Sequence, residues 1–259
     1  MSGSLEAYMS IIRSIFLLSA LSGAQALPEP LLAADAGNGS GWIRLFNGRN
    51  LEGFDTFLKT KGLNNDPEKV FQVQDGMLHI SGAEYGYVIT RKEYEKYHLR
   101  AEFKWGEGTY APRAGRARDS GILFHVVGPN DVWPQSIEYQ MIEGRTGEII
   151  LVGDGTSITV GGVTKTRGKD KGTHLARYNQ GPWEDVVGYR DPKMEYENPH
   201  GEWNVIELFA DGDSIKFVVN GKVANEGIAA NPARGKILFQ CEGAEVWFRN
   251  MELRPLSKK

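Results

Sequence analysis

The sequence predicts an all-β domain made of two packed antiparallel sheets. Three observations carry that expectation. Short segments of alternating polarity recur from Trp42 onward, two-residue glycine turns join several of them, and little in that span keeps a helical period for three turns. About a dozen such segments within roughly 215 residues suit a single sandwich domain.

Taken in order, Val70–Gln74 and Met77–Ile80 flank Asp75-Gly76. Such a two-residue turn requires positive φ at both positions, which Asp and Gly tolerate. A brief helical turn is expected from Arg91 to Lys96, ahead of a strand from Tyr97 to Trp105. In that strand Leu99, Ala101, Phe103 and Trp105 share one face, leaving Arg100, Glu102 and Lys104 on the other. The segment Asp119-Ser120-Gly121-Ile122-Leu123-Phe124-His125-Val126 puts Ile122, Phe124 and Val126 on a core face and Asp119 and His125 opposite. In Ser136–Glu143, Ile137, Tyr139 and Met141 take the core face, and Glu138 and Gln140 the other. Trp203–Ala210, Ser214–Asn220 and Lys222–Ala224 are joined at Asp211-Gly212 and Asn220-Gly221 and read as a meander, followed by strands at Lys236–Cys241 and Glu245–Met251. One interval resists the pattern. Thr164 to His200 carries Lys165, Arg167, Lys169 and Lys171, then Tyr178, Trp183, Tyr189 and three prolines. Loops of this length serve as lids or binding loops, or pack on themselves as surface excursions.

Composition narrows the class. A hydrophobic share of 41% with 24% charged residues is that of a soluble globular chain, and a net charge of -3 argues against general nucleic-acid binding, which needs surplus cations to displace counterions. The single cysteine, Cys241, precludes an intrachain disulfide and reads as a small buried hydrophobe. At the N-terminus Arg13 precedes the apolar run Ile15–Leu21, and Ala24-Gln25-Ala26 supplies a small-x-small cleavage pattern. Residues 1–26 therefore read as a signal peptide and 27–40 as a flexible lead-in, with a secreted or periplasmic domain over 41–257. The apolar run is shorter than the roughly 20 residues of a membrane span, so no stable span is expected after cleavage.

The strand sequences resemble a known family. Gly41-Trp42-Ile43-Arg44-Leu45-Phe46-Asn47-Gly48-Arg49-Asn50-Leu51-Glu52-Gly53-Phe54, the Phe71–Ile80 hairpin, Tyr97–Phe103, Asp119-Ser120-Gly121-Ile122, Glu138-x-Gln140, Gly201-Glu202-Trp203-Asn204 and the Val219-Asn220-Gly221 turn occur in the order found in the bacterial 3-keto-disaccharide hydrolase domain family. The resemblance spans about residues 41–255. It implies a concanavalin A-like jelly-roll sandwich that cleaves glycosides already oxidised to a ketone at sugar C3. Many members carry Asn at the position of Asp119 and Arg at that of His125.

The polar faces offer chemistry for such a substrate. A C3 ketone acidifies the C2 proton, so a base at C2 and assistance to the departing C1 oxygen give elimination, with water adding later for net hydrolysis. If the three strands are neighbours, His125, Glu138 and Glu102 converge as catalytic candidates. His125 is the expected base, its ordinary pKa being near 6.5. Asp119, Gln140 and Glu143 are candidate substrate ligands, Arg100, Lys104 and Arg145 candidate stabilisers of an enolate, and Trp133 and Trp183 candidate stacking platforms. His125, Glu138 and Gln140 are also candidate ligands for a divalent cation acting as Lewis acid. Gly-x-Gly-x-x-Gly is absent, so no nicotinamide cofactor is expected in this chain and a separate oxidoreductase must make the ketone.

Three rivals have their own signatures. A conventional glycosidase needs two carboxyl groups flanking the bond; only Glu102 and Glu138 are paired here, and Gln140 stands where the Glu-x-Asp-x-x-Glu pattern of laminarinase-type sandwiches has an acid. A lectin-like carbohydrate-binding module would need stacking and hydrogen bonds but no ionisable set. A laminin-G-type interaction domain would bind through its rim loops.

Overall fold

The computed structural model describes residues 41–256. The expected signal peptide, the lead-in and residue 257 lie outside them. Among the described residues eighteen strands follow one another: β1 (Ile43–Arg44), β2 (Phe54–Leu58), β3 (Gly62–Leu63), β4 (Phe71–Gln74), β5 (Met77–Ile80), β6 (Gly86–Thr90), β7 (Lys96–Thr109), β8 (Asp119–Val126), β9 (Ser136–Ile142), β10 (Ile149–Val152), β11 (Ser157–Val160), β12 (Val163–Thr166), β13 (His174–Leu175), β14 (Asn204–Asp211), β15 (Ser214–Val219), β16 (Lys222–Asn231), β17 (Lys236–Cys241) and β18 (Ala244–Pro255). They form two antiparallel sheets. One runs β12-β11-β16-β15-β14-β7-β18-β5-β4, with β1 added on β18, and the other β13-β10-β9-β8-β17-β6-β2-β3.

Alternation builds the core. Tyr97, Leu99, Ala101, Phe103 and Trp105 of β7 face Ile122, Phe124, Ile137, Tyr139 and Met141 of β8 and β9 in one buried apolar layer between the sheets. Tyr139 stacks on Phe217 with ring centroids 4.0 Å apart and donates its hydroxyl to the Val218 carbonyl, which ties β9 to the opposite sheet. Cys241 is buried in this layer, where burial pushes its thiol up to about 12. β8 and β9 are buried along their whole length on both faces. The polar residues on their outer face are therefore withdrawn from bulk water.

The turns follow their chemistry with one shift. Asp75 and Gly76 (φ 51° and 76°) and Asn220 and Gly221 (φ 48° and 77°) make the two-residue turns expected of them. In the hairpin between, Asp211 pairs with Ser214, so the turn is Gly212-Asp213 rather than Asp211-Gly212. Gly212 (φ 63°) supplies the positive φ at its first position. Arg91–Lys96 is not a helical turn. Tyr94 makes a bridge to Gly235 there, and β7 starts at Lys96.

One irregularity decides where a histidine goes. Between β8 and β17, Leu123 pairs with Leu238 but Val126 with Lys236, so three steps on β8 oppose two on β17. That extra residue is a β-bulge, and His125 within it takes φ 53°. The bulge reverses the parity, sending His125 inward and Val126 outward. Gly235 lies against it, and a Cβ there would sit 2.4 Å from the His125 carbonyl carbon and from the Val126 oxygen. These are backbone atoms that cannot step aside. Gly235→Ala is therefore expected to cost about 1–3 kcal/mol, or somewhat more, read as a lowered midpoint in denaturant.

Candidate active site

On the outer face of the eight-stranded sheet, Asp119, Glu138, Gln140 and Glu242 line a cleft of about 400 Å³, together with Ile150, Arg167, His174 and Trp133. Strand register explains the gathering. Gly121 of β8 pairs with Gln140 and Leu123 with Glu138, while Ile150 of β10 pairs with Glu138 on one side and with His174 of β13 on the other. Glu138, Ile150 and His174 thus stand in a row across three strands on one face, the outer two separated by two strand spacings, about 10 Å.

Gly121 makes room for the acid. A Cβ at this position would lie 2.5 Å from Glu138 Oε1 and 3.1 Å from Gln240 Oε1. Only a glycine leaves the Glu138 carboxyl its place over β8.

The carboxyl groups are held in an unusual state. Burial raises both Asp119 and Glu138 well above the ordinary carboxylate range, and the neighbouring Glu242 carboxyl raises them further. Burial also pushes Glu242 up to about 7, against the pull of Arg113. Gln140 Nε2 donates to Asp119 Oδ1 at 2.8 Å, and Arg113 Nη2 lies 3.4 Å from Asp119 Oδ2. Glu138 Oε1 and Gln140 Oε1 are buried with no hydrogen-bond partner. The Gln240 amide beside Glu138 is likewise unpartnered, and buried polar groups in that condition are rare in folded proteins.

His174 stands at the rim. The protein around it displaces water and lowers its pKa below the usual histidine value, although the residue keeps solvent exposure and Glu148 pulls the other way. It is neutral at pH 7 and free to accept a proton. Arg167 brings a guanidinium to the same cleft, donating through Nη1 to Thr173 Oγ1 at 3.0 Å. Trp133 is 41% exposed and meets Tyr85 edge-on, with centroids 5.7 Å apart, as an aromatic wall.

Several sequence expectations require correction. His125 does not share a face with Glu138. Its ring lies between the sheets beside Phe124 and Tyr97, with Nδ1 3.1 Å from the Pro232 carbonyl, and burial drives its pKa down to about 4. Glu102 is not near Glu138 either, because β7 belongs to the other sheet. There Glu102 accepts from Arg249 Nε (2.7 Å) and Asn250 Nδ2 (2.9 Å), Arg100 lies 3.6 Å from Glu252, and Lys104 sits 5.2 Å over the Trp203 ring. The proposed cation ligands His125, Glu138 and Gln140 are consequently not brought together. Among the described residues no group of three or more His, Cys, Asp or Glu side chains has a metal-holding arrangement.

Glu143, Arg145 and Trp183 form a supporting cluster beside the cleft. Glu143 pairs with Arg118 at 2.7 Å, its carbonyl accepts from Trp183 Nε1, and Arg145 lies over the Trp183 ring while pairing with Glu148. The long excursion packs Trp183 against Tyr189 and brings Arg167 and His174 to the cleft lining. Glu242 was within reach of parity reasoning, because Gln240 and Glu242 alternate with Phe239 and Cys241. His174 was not, since a two-residue strand has no period to read.

Residues 41–254 match the family described as 3-keto-alpha-glucoside-1,2-lyase-like domain. The chain belongs to this family. The match begins at the first described residue and takes in every strand that builds the cleft. No curated protein matches the chain. Two solved structures, both candidate glycosyl hydrolases from Parabacteroides distasonis, share the fold of this lyase-like domain. The first has 21% identity, covers 85% of this chain and 95% of its own, and gives a TM-score of 0.55. The second has 22% identity, 83% and 99% coverage, and a TM-score of 0.50. A β-glucanase from Bacillus licheniformis is 12% identical over 84% of this chain and 99% of its own, with a TM-score of 0.47. The architecture is the jelly-roll sandwich expected, in a carbohydrate-active family.

Proposed function

We propose that the domain cleaves 3-keto-glycosides by elimination across C1 and C2, with His174 as the base and Glu138 as the acid. The observation that carries this reading is a buried carboxylic acid with an unpartnered oxygen, Glu138, sharing one cleft with an accessible neutral histidine. His174 takes the C2 proton, and the C2–H electron pair passes into an enolate whose oxygen, formerly the C3 ketone, faces the Arg167 guanidinium. Collapse of the enolate restores the ketone, forms the C1–C2 double bond and expels the C1 oxygen, which takes its proton from Glu138. Addition of water to C1 then completes net hydrolysis. Ile150 between the two groups gives the sugar an apolar seat, and Trp133 offers a ring face to the aglycone.

The same reading includes export directed by residues 1–26 and a separate oxidoreductase that supplies the ketone. The purified domain is expected to release aglycone from a 3-keto-α-glucoside and to leave the parent glucoside intact. Proton NMR in D2O separates the chemistry, since reversible abstraction puts deuterium at C2 of recovered substrate. Sugar binding by calorimetry with no release from several 3-keto-glucosides would overturn cleavage in favour of a carbohydrate-binding module.

A further inference from the structure

Gln140 is the part of the cleft whose side-chain amide is held by its neighbours. Asp119 Oδ1 accepts from the Gln140 NH2 group at 2.8 Å, and the Arg113 guanidinium, 3.4 Å from Asp119 Oδ2, works against the rise that burial imposes on the Asp119 pKa. Arg113 is itself fixed by the Ala117 carbonyl (2.7 Å) and by Asp185 (3.0 Å) from the long excursion. The amide oxygen is thereby turned toward the cleft, where it is buried and has no donor, in a residue only 6% exposed. A carbonyl so placed rewards an O–H or N–H group and penalises a ligand that lacks one.

Its position suggests which group. Gln140 follows Glu138 by two residues on the same face of β9, roughly 6.8 Å along the strand. A pyranose fits that separation when its anomeric oxygen meets Glu138 and its C4 hydroxyl meets Gln140, with a hydrogen bond at each end. We propose that Gln140, held in orientation by Asp119, accepts the C4 hydroxyl of the sugar and makes the cleft selective for glycosides that carry a free donor there. This placement rests on the reading that Glu138 serves the glycosidic oxygen. Asp119 is on this account a positioning residue, and the Arg113–Asp185 contact couples the excursion to sugar selectivity.

The test measures binding in a Glu138→Gln background, so that ligand is not consumed. A 3-keto-glucoside is compared with its 4-deoxy and 4-fluoro analogues by titration calorimetry. Both analogues lack the donor and are expected to bind about 10- to 100-fold more weakly. With Gln140→Ala added, the gap is expected to shrink to about threefold or less. Asp119→Asn, which can donate to the Gln140 oxygen and so turn the amide around, is expected to narrow the gap with an unchanged melting temperature. An equal gap with and without Gln140, or no gap in the parent, overturns the assignment. If the gap is present and vanishes with Gln140 but wild type cleaves no 3-keto-glucoside, the hydroxyl reading stands and the cleavage reading falls.

Discussion

Glu138→Gln is expected to lower aglycone release from a 3-keto-glucoside by about 10²–10³-fold, the usual worth of a positioned general acid. The amide keeps the shape of the acid over Gly121 and the hydrogen-bonding atoms that face the cleft, but it has no proton to give to the departing oxygen. KM should change little, because the loss lies in the transition state. Stability gives an independent reading of the same group. Burial and the Glu242 carboxyl raise the Glu138 pKa in the folded protein above its value of 4.5 in the unfolded chain. The contribution of such an acid is fully present below the unfolded value and is lost as pH rises toward the folded one. The glutamine variant suffers no such loss. It should melt with wild type at pH 4 and at or above wild type at pH 8, and lower melting at pH 8 would show that Glu138 works as a paired carboxylate instead.

His174→Ala is expected to reduce turnover by about 10²-fold at pH 7 and to alter the pH profile in a way that no structural change would imitate. In wild type the acid limb should lie below the ordinary histidine value of 6.5, because displacement of water from His174 lowers its pKa. The alkaline limb should reflect the carboxyl set. Glu242 ionises at about 7, and its charge holds the proton on Glu138 to higher pH. Removing His174 should abolish the acid limb and leave the alkaline one, and added imidazole should restore part of the rate. A profile unchanged in shape would move the base elsewhere in the cleft. His125→Ala, by contrast, changes a core residue, and its effect is expected on melting temperature.

Much of the architecture is legible along the chain because it depends on local periodicity. The alternation of Leu99, Ala101, Phe103 and Trp105 defines a core face wherever that strand lies, and Asp75-Gly76 and Asn220-Gly221 carry positive φ wherever their hairpins pack. The pairing of β8 with β9 was equally accessible, since consecutive antiparallel strands tend to be neighbours. That was enough to bring Asp119, Glu138 and Gln140 to one surface.

What lay beyond reach were the features with no local period. Parity assigns Glu102 a face but not a sheet, and β7 pairs with β14 and β18 across the sandwich from Glu138. Parity also fails through a bulge. The extra residue at His125 is packed against Gly235, about 110 residues along the chain, and it turns the apparent catalytic histidine into the core. The histidine that does stand in the cleft comes from a two-residue strand inside a loop, added to the sheet edge by pairing with Ile150. The amino-acid order alone thus sets the strand faces, the turns and the acidic floor, because each rests on contacts between near neighbours. Which base accompanies that floor, and how far its acids are driven from their ordinary ionisation, follow from long-range packing and the exclusion of water, neither of which a single strand contains.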